Sequence, residues 1–424
     1  MSGIHPGGPR PHAAEATNCG RTTAAACPIT LKRLVESYTE PHGLYDELRA
    51  RDRVTFDPAG RCWLVTGHAA VRQVLGDARF VSDEALAAPR SRRAAARSFV
   101  ADAIQRQVIF ADGPRQARVQ RAVLVELARR SDSLLAPLRD SAVALAERAR
   151  ARGEVDLVGE FAVPYSMEAI SMILGLPAST PGEAERLERW STTYADLTSG
   201  YLRMEMHEIV QLGEYFRAQV SARGGTPSDD LIGAFLRDGG LEHEEEVVIQ
   251  CMMAFSAGRV TTQKLLGDGI PLLLPEWGMW RERLRGNAGF ARRLADELLR
   301  VVTPTRFVVR YAAEDVVLDV EPGGGHTVRR GEKVVLFLQA GNRDPQAFPD
   351  PHALDAERQP NPHLSFGFGA HRCPGASVAR IEIQTALQAL LETLAELRPH
   401  PSAAPSWDPN PNIGGYSSYR CLCA

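Results

Sequence analysis

The chain has 424 residues, 44% of them hydrophobic, which is ample to bury a large core. A formal net charge of −3 leaves no electrostatic footprint for nucleic acid. Of the 49 basic residues only Lys32, Lys264 and Lys333 are lysines, so a single Arg is informative only inside a longer pattern.

Residues 1–27 are dominated by Gly, Pro, Ala and Thr and are expected to form a disordered N-terminal arm. No apolar run there is long enough for a signal peptide or a membrane anchor. Residues 28–424 contain no linker at which to divide them, and one large domain is expected.

Arg53–Asp57 and Cys62–Thr66 read as two short strands joined by Asp57-Pro58-Ala59-Gly60. Beyond Gly67 the pattern is mostly helical, with apolar positions three and four apart over His68–Leu75, Arg121–Ala128 and Leu134–Arg152. Gly153–Val158 is an extended break, and Pro164–Leu174 a helix stopped by Gly175 and Pro177. Ser228 and Asp229 are capping candidates for a helix over Asp230–Leu236. A long apolar helix is expected from about Glu244 to Leu274, its three leading acids suiting the positive end of the helix dipole. Another ends near Arg300. Strands follow at Val316–Val320 and Val334–Leu338, with a turn at Pro322–Gly325. A last helix runs from about Pro374 to Leu397. The fold class is mainly α with a minor β-sheet.

The seven cysteines (Cys19, Cys27, Cys62, Cys251, Cys373, Cys421 and Cys423) are odd in number and scattered, unlike a disulfide framework. A reducing, cytoplasmic setting is expected. Cys421 and Cys423 form a C-x-C that could bind a metal, but with no second ligand pair they read as incidental residues of a mobile tail.

The most informative stretch is Phe366-Gly367-Phe368-Gly369-Ala370-His371-Arg372-Cys373-Pro374-Gly375, continuing to Ala379-Arg380. Its glycines allow a tight turn and close approach to a flat object. Cys373 lies just before a helix, where backbone N–H groups favour a thiolate. The segment resembles the ligand loop of cytochromes P450, Phe-Gly-x-Gly-x-His-x-Cys-x-Gly, with every fixed position met. The resemblance extends over residues 28–420, most strongly in the last 180. It takes in Glu297-Leu298-Leu299-Arg300, Pro304 with Arg310, Asn342-Arg343-Asp344-Pro345, Asp355–Arg358 and Asn361-Pro362-His363-Leu364. It implies a P450-like fold binding haem b (iron protoporphyrin IX), with Cys373 as the axial thiolate and metal ligand. By the same resemblance His371 and Arg310 meet the propionates, and Phe366, Gly367, Gly375, Ala379, Ala257 and Gln120 lie at the cofactor. Glu297, Arg300 and Arg358 form a structural triad, and Thr261 shapes the oxygen groove.

Two positions depart from the family pattern. The central helix reads Ala257-Gly258-Arg259-Val260-Thr261-Thr262, with Val260 where the family usually has Asp or Glu. Either water or another side chain such as Glu246 then relays protons, or the substrate carries its own proton source. Gln116 and Gln120 stand where the family usually places His and Arg. Neutral amides cannot hold propionates by charge, so a weaker hold or a shifted Arg118 or Arg121 is expected.

The resemblance implies a monooxygenase-like oxidative enzyme of bacterial secondary-metabolite biosynthesis, fed electrons by separate ferredoxin and ferredoxin reductase. Its substrate contacts would come from residues 80–108 and 191–206, from Phe255, Arg259, Val260, Phe307, Val308 and Val309, and from Ile413–Tyr416. Rival readings are a peroxide-driven or radical-coupling catalyst on the same fold, and a haem-binding protein without turnover that recruits a partner.

Overall fold

In the computed structural model the described residues are 29–87, 99–201, 205–224, 228–238, 241, 243–319 and 325–424. The expected N-terminal arm with Cys19 and Cys27, residues 88–98 of the 80–108 segment, residues 202–204 and the turn over Pro322–Gly324 lie outside them.

A five-stranded sheet runs in the order Val54–Asp57, Cys62–Val65, Lys333–Phe337, Phe307–Ala312, Phe80–Val81. Its second and third strands pair in parallel and the others antiparallel. The expected link between the strands at 316 and 334 is corrected. Val316–Asp319 pairs with Gly325–Val328 as a separate two-stranded ribbon, and Lys333–Phe337 belongs to the large sheet. The C-terminal cysteines are corrected too. Arg420–Cys423 is the middle strand of a three-stranded sheet with Glu154–Asp156 and Leu397–Pro399. A two-residue period puts Cys421 and Cys423 on one buried face, not in a mobile tail.

Helices make up most of the remainder. Gly113–Arg152 is one continuous helix, although the sequence pattern is interrupted at Arg129–Ser133. Ser131 and Ser133 bond back to the carbonyls of Ala128 and Arg130, so their hydroxyls are satisfied without breaking it. The central helix spans Glu244–Gly269 and tightens at Ile270–Glu276, where Pro271 lacks an N–H to continue the ladder. The helix Leu231–Asp238 is capped by Asp230, whose Oδ1 accepts the Gly233 N–H at 2.8 Å, one residue beyond the expected cap. Among the described residues one stretch, Leu157–Leu174, is long and apolar enough to cross a membrane; 67% of it is buried inside the fold.

The largest core forms where Gly113–Arg152 packs on Ala376–Thr393 and where the central helix is wrapped by Val163–Leu174, Pro181–Thr198 and Met206–Ser221. This sets the central helix against the helix that follows Cys373. Thr262 Oγ1 donates to Glu382 Oε2 at 2.7 Å across that contact.

Candidate active site

Glu297 and Arg300 lie fully buried toward the end of the helix Ala288–Val302. A spacing of three puts them on one face, and Arg300 grips Glu297 through Nε at 2.9 Å and Nη2 at 2.7 Å. Arg358 Nε adds 3.2 Å, and the Asp355 N–H donates to the same carboxylate at 2.9 Å. Asn361 Nδ2 completes the set at 3.1 Å. Its Asn-Pro-His-Leu run was visible in the sequence, but nothing there tied it to Glu297. The remaining Arg300 donors end on the carbonyls of Asn342, Pro351 and Ala353 at 2.7–3.0 Å. The cluster thereby sets the course of the chain that leads to the ligand loop. Ser365 Oγ then donates to Leu299 O at 2.6 Å, and Asn342 Oδ1 accepts the Leu364 N–H.

The loop turns at Gly367 (φ 66°) and Gly369 (φ 71°). A Cβ on Gly369 would stand 2.2 Å from the Leu75 carbonyl oxygen, so no other residue fits there. The Cys373 N–H donates to Phe366 O at 2.8 Å, closing the loop, and Arg380 lies 4.7 Å from the Phe366 ring centre. Gly375 caps the helix Ala376–Thr393, and Ala379 sits in its first turn. Cys373 is exposed although protein surrounds it, so its side chain opens onto interior space. Burial pushes its thiol up, and the Gly375 N–H, Arg372 and Arg380 only partly oppose this. The expected lowering by the helix start is therefore outweighed, and a thiolate needs a cation to form it.

Arg310 is buried, and among the described residues its guanidinium hydrogen-bonds only to Val309 O, at 2.8 Å. Burial lowers its pKa, and nearby Asp112 works in the opposite direction. His371 Nε2 lies 3.0 Å from Asp112 Oδ1. Asp112 Oδ2 accepts the N–H groups of Ser82 and Asp83. Burial would raise the Asp112 pKa, but these partners hold it below the usual value. Gln116 Nε2 donates to Ala370 O at 2.9 Å and also meets Gln120. Gln120 Nε2 donates to Arg372 O at 2.9 Å. The two amides thus clasp the backbone of the ligand loop, on either side of His371.

On the central helix, Ala257 is exposed amid buried neighbours, and Thr261 Oγ1 bonds back to Ala257 O at 2.7 Å. Val260 is buried in an apolar cluster with Ala195 and Ile413. Arg259 does not line a pocket. It is fully buried against the helix Pro181–Thr198, where it bonds Ser191 Oγ at 2.7 Å and Thr192 Oγ1, and it bonds Gln263 Oε1 of its own helix at 2.6 Å. Phe255 is likewise a core residue, packed on Phe216. Strand alternation separates the remaining pair. Val308 shares a face with Arg310, while Phe307 points the other way onto Phe337. Glu246 is excluded as a relay. It pairs with Arg106 and Arg115 and stands about 22 Å from Thr261 along the helix axis.

A family model described as Cytochrome P450 matches residues 289–411. Mycinamicin IV hydroxylase/epoxidase of Micromonospora griseorubida is 33% identical over 85% of this chain and 91% of its own. The chain belongs to the cytochrome P450 family. The monooxygenase PikC of Streptomyces venezuelae is 30% identical, over 93% of this chain and 94% of its own. P450BioI, solved with an acyl carrier protein bearing hexadec-9Z-enoic acid, superposes with a TM-score of 0.81 at 27% identity. That match covers 92% of this chain and all of that one. The protein is thus a P450-type oxidoreductase, of a family that binds haem.

Two features of this P450 fit that group. Cys373 is exposed although protein surrounds it, and Arg310 is a buried cation with no carboxylate within ion-pair distance among the described residues.

Glu297→Ala strips two buried guanidinium groups of their partner and is expected to cost about 3–5 kcal/mol, read by denaturant unfolding and by the yield of haem-loaded protein. Val260→Asp places a carboxylate among Ala195 and Ile413 and is expected to lower unfolding stability by about 1–3 kcal/mol at neutral pH, with recovery as the pH falls and the acid is neutralised.

Proposed function

We propose that the protein oxidises a small organic molecule in bacterial secondary metabolism, using haem b held by Cys373. Electrons come from a separate ferredoxin and ferredoxin reductase, and the setting is cytoplasmic. The observation that carries this reading is Cys373, exposed although enclosed by protein, just ahead of the helix Ala376–Thr393. Relatives named mycinamicin IV hydroxylase/epoxidase, a cytochrome P450 monooxygenase and pentalenic acid synthase support the metabolic class.

Bound there, haem supplies dioxygen activation, with an electron-rich thiolate that favours O–O cleavage. The chain's residues do the rest. Arg310 would neutralise propionate charge and His371 would lie beside a propionate; Phe366, Gly367 and Gly375 shape the loop around Cys373. Gln116 and Gln120 hold that loop by its carbonyls instead of binding propionates by charge. Ala257 and Ala379 keep space beside the ring, and Thr261 shapes the groove by turning its hydroxyl onto Ala257 O. Val260 and Ile413 pack with Ala195 as an apolar cluster at the position where the family usually has an acid.

The reduced protein with carbon monoxide is expected to show the long-wavelength Soret band of thiolate ligation. Cys373→Ser should lose it, and retention there would end this reading. Oxygen and reductant dependence of product formation separates a monooxygenase from a peroxide-driven or radical-coupling catalyst. A metabolite screen for haem spectral shifts separates both from a non-catalytic haem protein. Thr261→Ala is expected to lose less than about tenfold in product rate, ~1.4 kcal/mol of barrier, because its hydroxyl is already committed to Ala257 O.

A further inference from the structure

Arg259 is a cation in the core with no acid at its side. It is fully buried, and among the described residues no carboxylate lies within ion-pair distance of it. Burial lowers its pKa to about 10, with Glu188 and Asp196 opposing from a distance, so it keeps its charge at neutral pH. Such a charge persists only where its donors are met, and here neutral acceptors meet them. Its Nη1 donates to Gln263 Oε1 at 2.6 Å, one turn along the same helix. Its other bonds cross to the helix Pro181–Thr198: Ser191 Oγ at 2.7 Å, Thr192 Oγ1, and the Glu188 main-chain oxygen at 3.3 Å. Positions 188, 191, 192 and 195 share one face of that helix, and Ala195 continues the contact onto Val260, next to Thr261.

The same helix is held by further polar contacts. Asn410 is fully buried and uses its whole amide. Its Nδ2 donates to Asp196 Oδ1 at 2.6 Å and to Ser199 Oγ at 2.9 Å, at the helix end. Its Oδ1 accepts the N–H groups of Asn412 and Ile413 at 2.9 and 3.0 Å, in the C-terminal segment. Tyr194 donates its hydroxyl to Ala103 O at 2.7 Å, on the helix Phe99–Gln105. Buried Glu208, from Met206–Ser221, accepts Thr193 Oγ1 at 2.6 Å and Arg189 Nε at 2.7 Å.

We propose that Arg259 is a positioning residue that, with Asn410, bolts the helix Pro181–Thr198 to the central helix and the C-terminal segment. The helix is thereby a fixed flank of the cleft at Thr261, and the site selects its ligands by size. The ligand-binding part of the test rests on the haem-thiolate reading above. Apolar contacts such as Ala195 on Val260 tolerate sliding, because hydrophobic packing is not directional. A guanidinium held by several acceptors does not. Two residues of travel along a helix axis is about 3 Å, enough to break the bonds to Ser191 and Glu188 and leave the cation unmatched in the core.

The test compares wild type, Arg259→Met, Arg259→Lys and Asn410→Ala in two ways. Amide hydrogen exchange is followed in each protein as isolated, setting peptides of Pro181–Thr198 against those of the central helix. In wild type the two helices should be protected to within about tenfold of each other. Arg259→Met and Asn410→Ala should each speed exchange in Pro181–Thr198 by about tenfold, the scale of one lost hydrogen bond, while Ala376–Thr393 keeps its rate. Haem-loaded proteins are then mixed with imidazole and with 4-phenylimidazole as nitrogen ligands of the iron, and optical difference spectra give the binding rates. Imidazole is small enough to enter beside a fixed flank and should bind all four proteins alike. The bulkier 4-phenylimidazole should enter wild type slowly, and Arg259→Met and Asn410→Ala about tenfold faster. Arg259→Lys keeps the charge but replaces the fork with a single ammonium, and should fall between.

A merely structural loss would lower unfolding stability and alter the binding of both ligands together, so the split between them is what identifies a fixed flank. An unchanged ratio of the two ligands' rates in both Arg259→Met and Asn410→Ala overturns the proposal. So does wild-type exchange in Pro181–Thr198 that outruns the central helix by more than the expected margin. The carbon monoxide band keeps the two readings apart. If wild type lacks it, the haem-thiolate reading fails, and hydrogen exchange alone decides whether the helix is fixed. If wild type has it and the ligand rates do not split, only the role of Arg259 and Asn410 fails. Should Arg259→Met not fold, exchange and ligand rates in Asn410→Ala and Arg259→Lys decide.

Discussion

The buried carboxylate of Glu297 is the constraint on which the remaining site geometry depends. It collects hydrogen bonds from Arg300, Arg358, Asn361 and the Asp355 backbone, so one helix and a long irregular segment share a single anchor. An isolated charge could not persist at such depth; this one is matched by two guanidinium groups whose other donors end on carbonyls. The gain is in position. The segment from Asn342 to Asn361 has little regular structure of its own, yet it delivers the ligand loop to a defined place beneath the central helix.

From that anchor the loop is fastened at several further points, and the fastenings are mostly neutral. Ser365 and Asn342 tie its start to the helix Ala288–Val302. Gln116 and Gln120 hold the carbonyls of Ala370 and Arg372 from the opposite side. Charge enters the site through Arg310, through Asp112 beside His371, and through Arg372 and Arg380 near the thiol. This division differs from the family pattern, in which the positions of the two glutamines usually carry charge toward the cofactor. Here the same helix secures the protein loop.

The opposite side of the central helix shows a second division of labour. Arg259 is spent on helix packing through Ser191, Thr192 and Gln263, and Lys264 pairs with Asp408 to fasten the C-terminal segment. Ile413 is carried by that segment onto Val260 and Ala195. An acid at position 260 would be enclosed by these apolar neighbours, which gives a physical reason for Val there. Glu382, one helix away, is buried but has in Thr262 a polar partner that position 260 lacks.

Local chemistry alone made much of this protein legible in its sequence. The ligand loop could be read because glycines at required turns, a Cys before a helix and fixed spacings are properties of neighbouring residues. The mainly helical class and the first hairpin followed from the same kind of rule, periodicity along one element, whereas the spacing of Glu297 and Arg300 put them on one face and only the family resemblance implied their buried pairing. What the sequence could not decide was the phase of each element against its neighbours. A helix of known pitch can present Phe255 and Arg259 to a cleft or to another helix, and only packing placed both in the core. Strand alternation shows that Phe307 and Val308 must face opposite ways, but only the sheet's position assigns Val308 to the side of Arg310. The partners of Glu382, Asn361 and the two glutamines lie far away in the chain, so their roles emerged only when tertiary contact brought distant carbonyls and hydroxyls within hydrogen-bond reach.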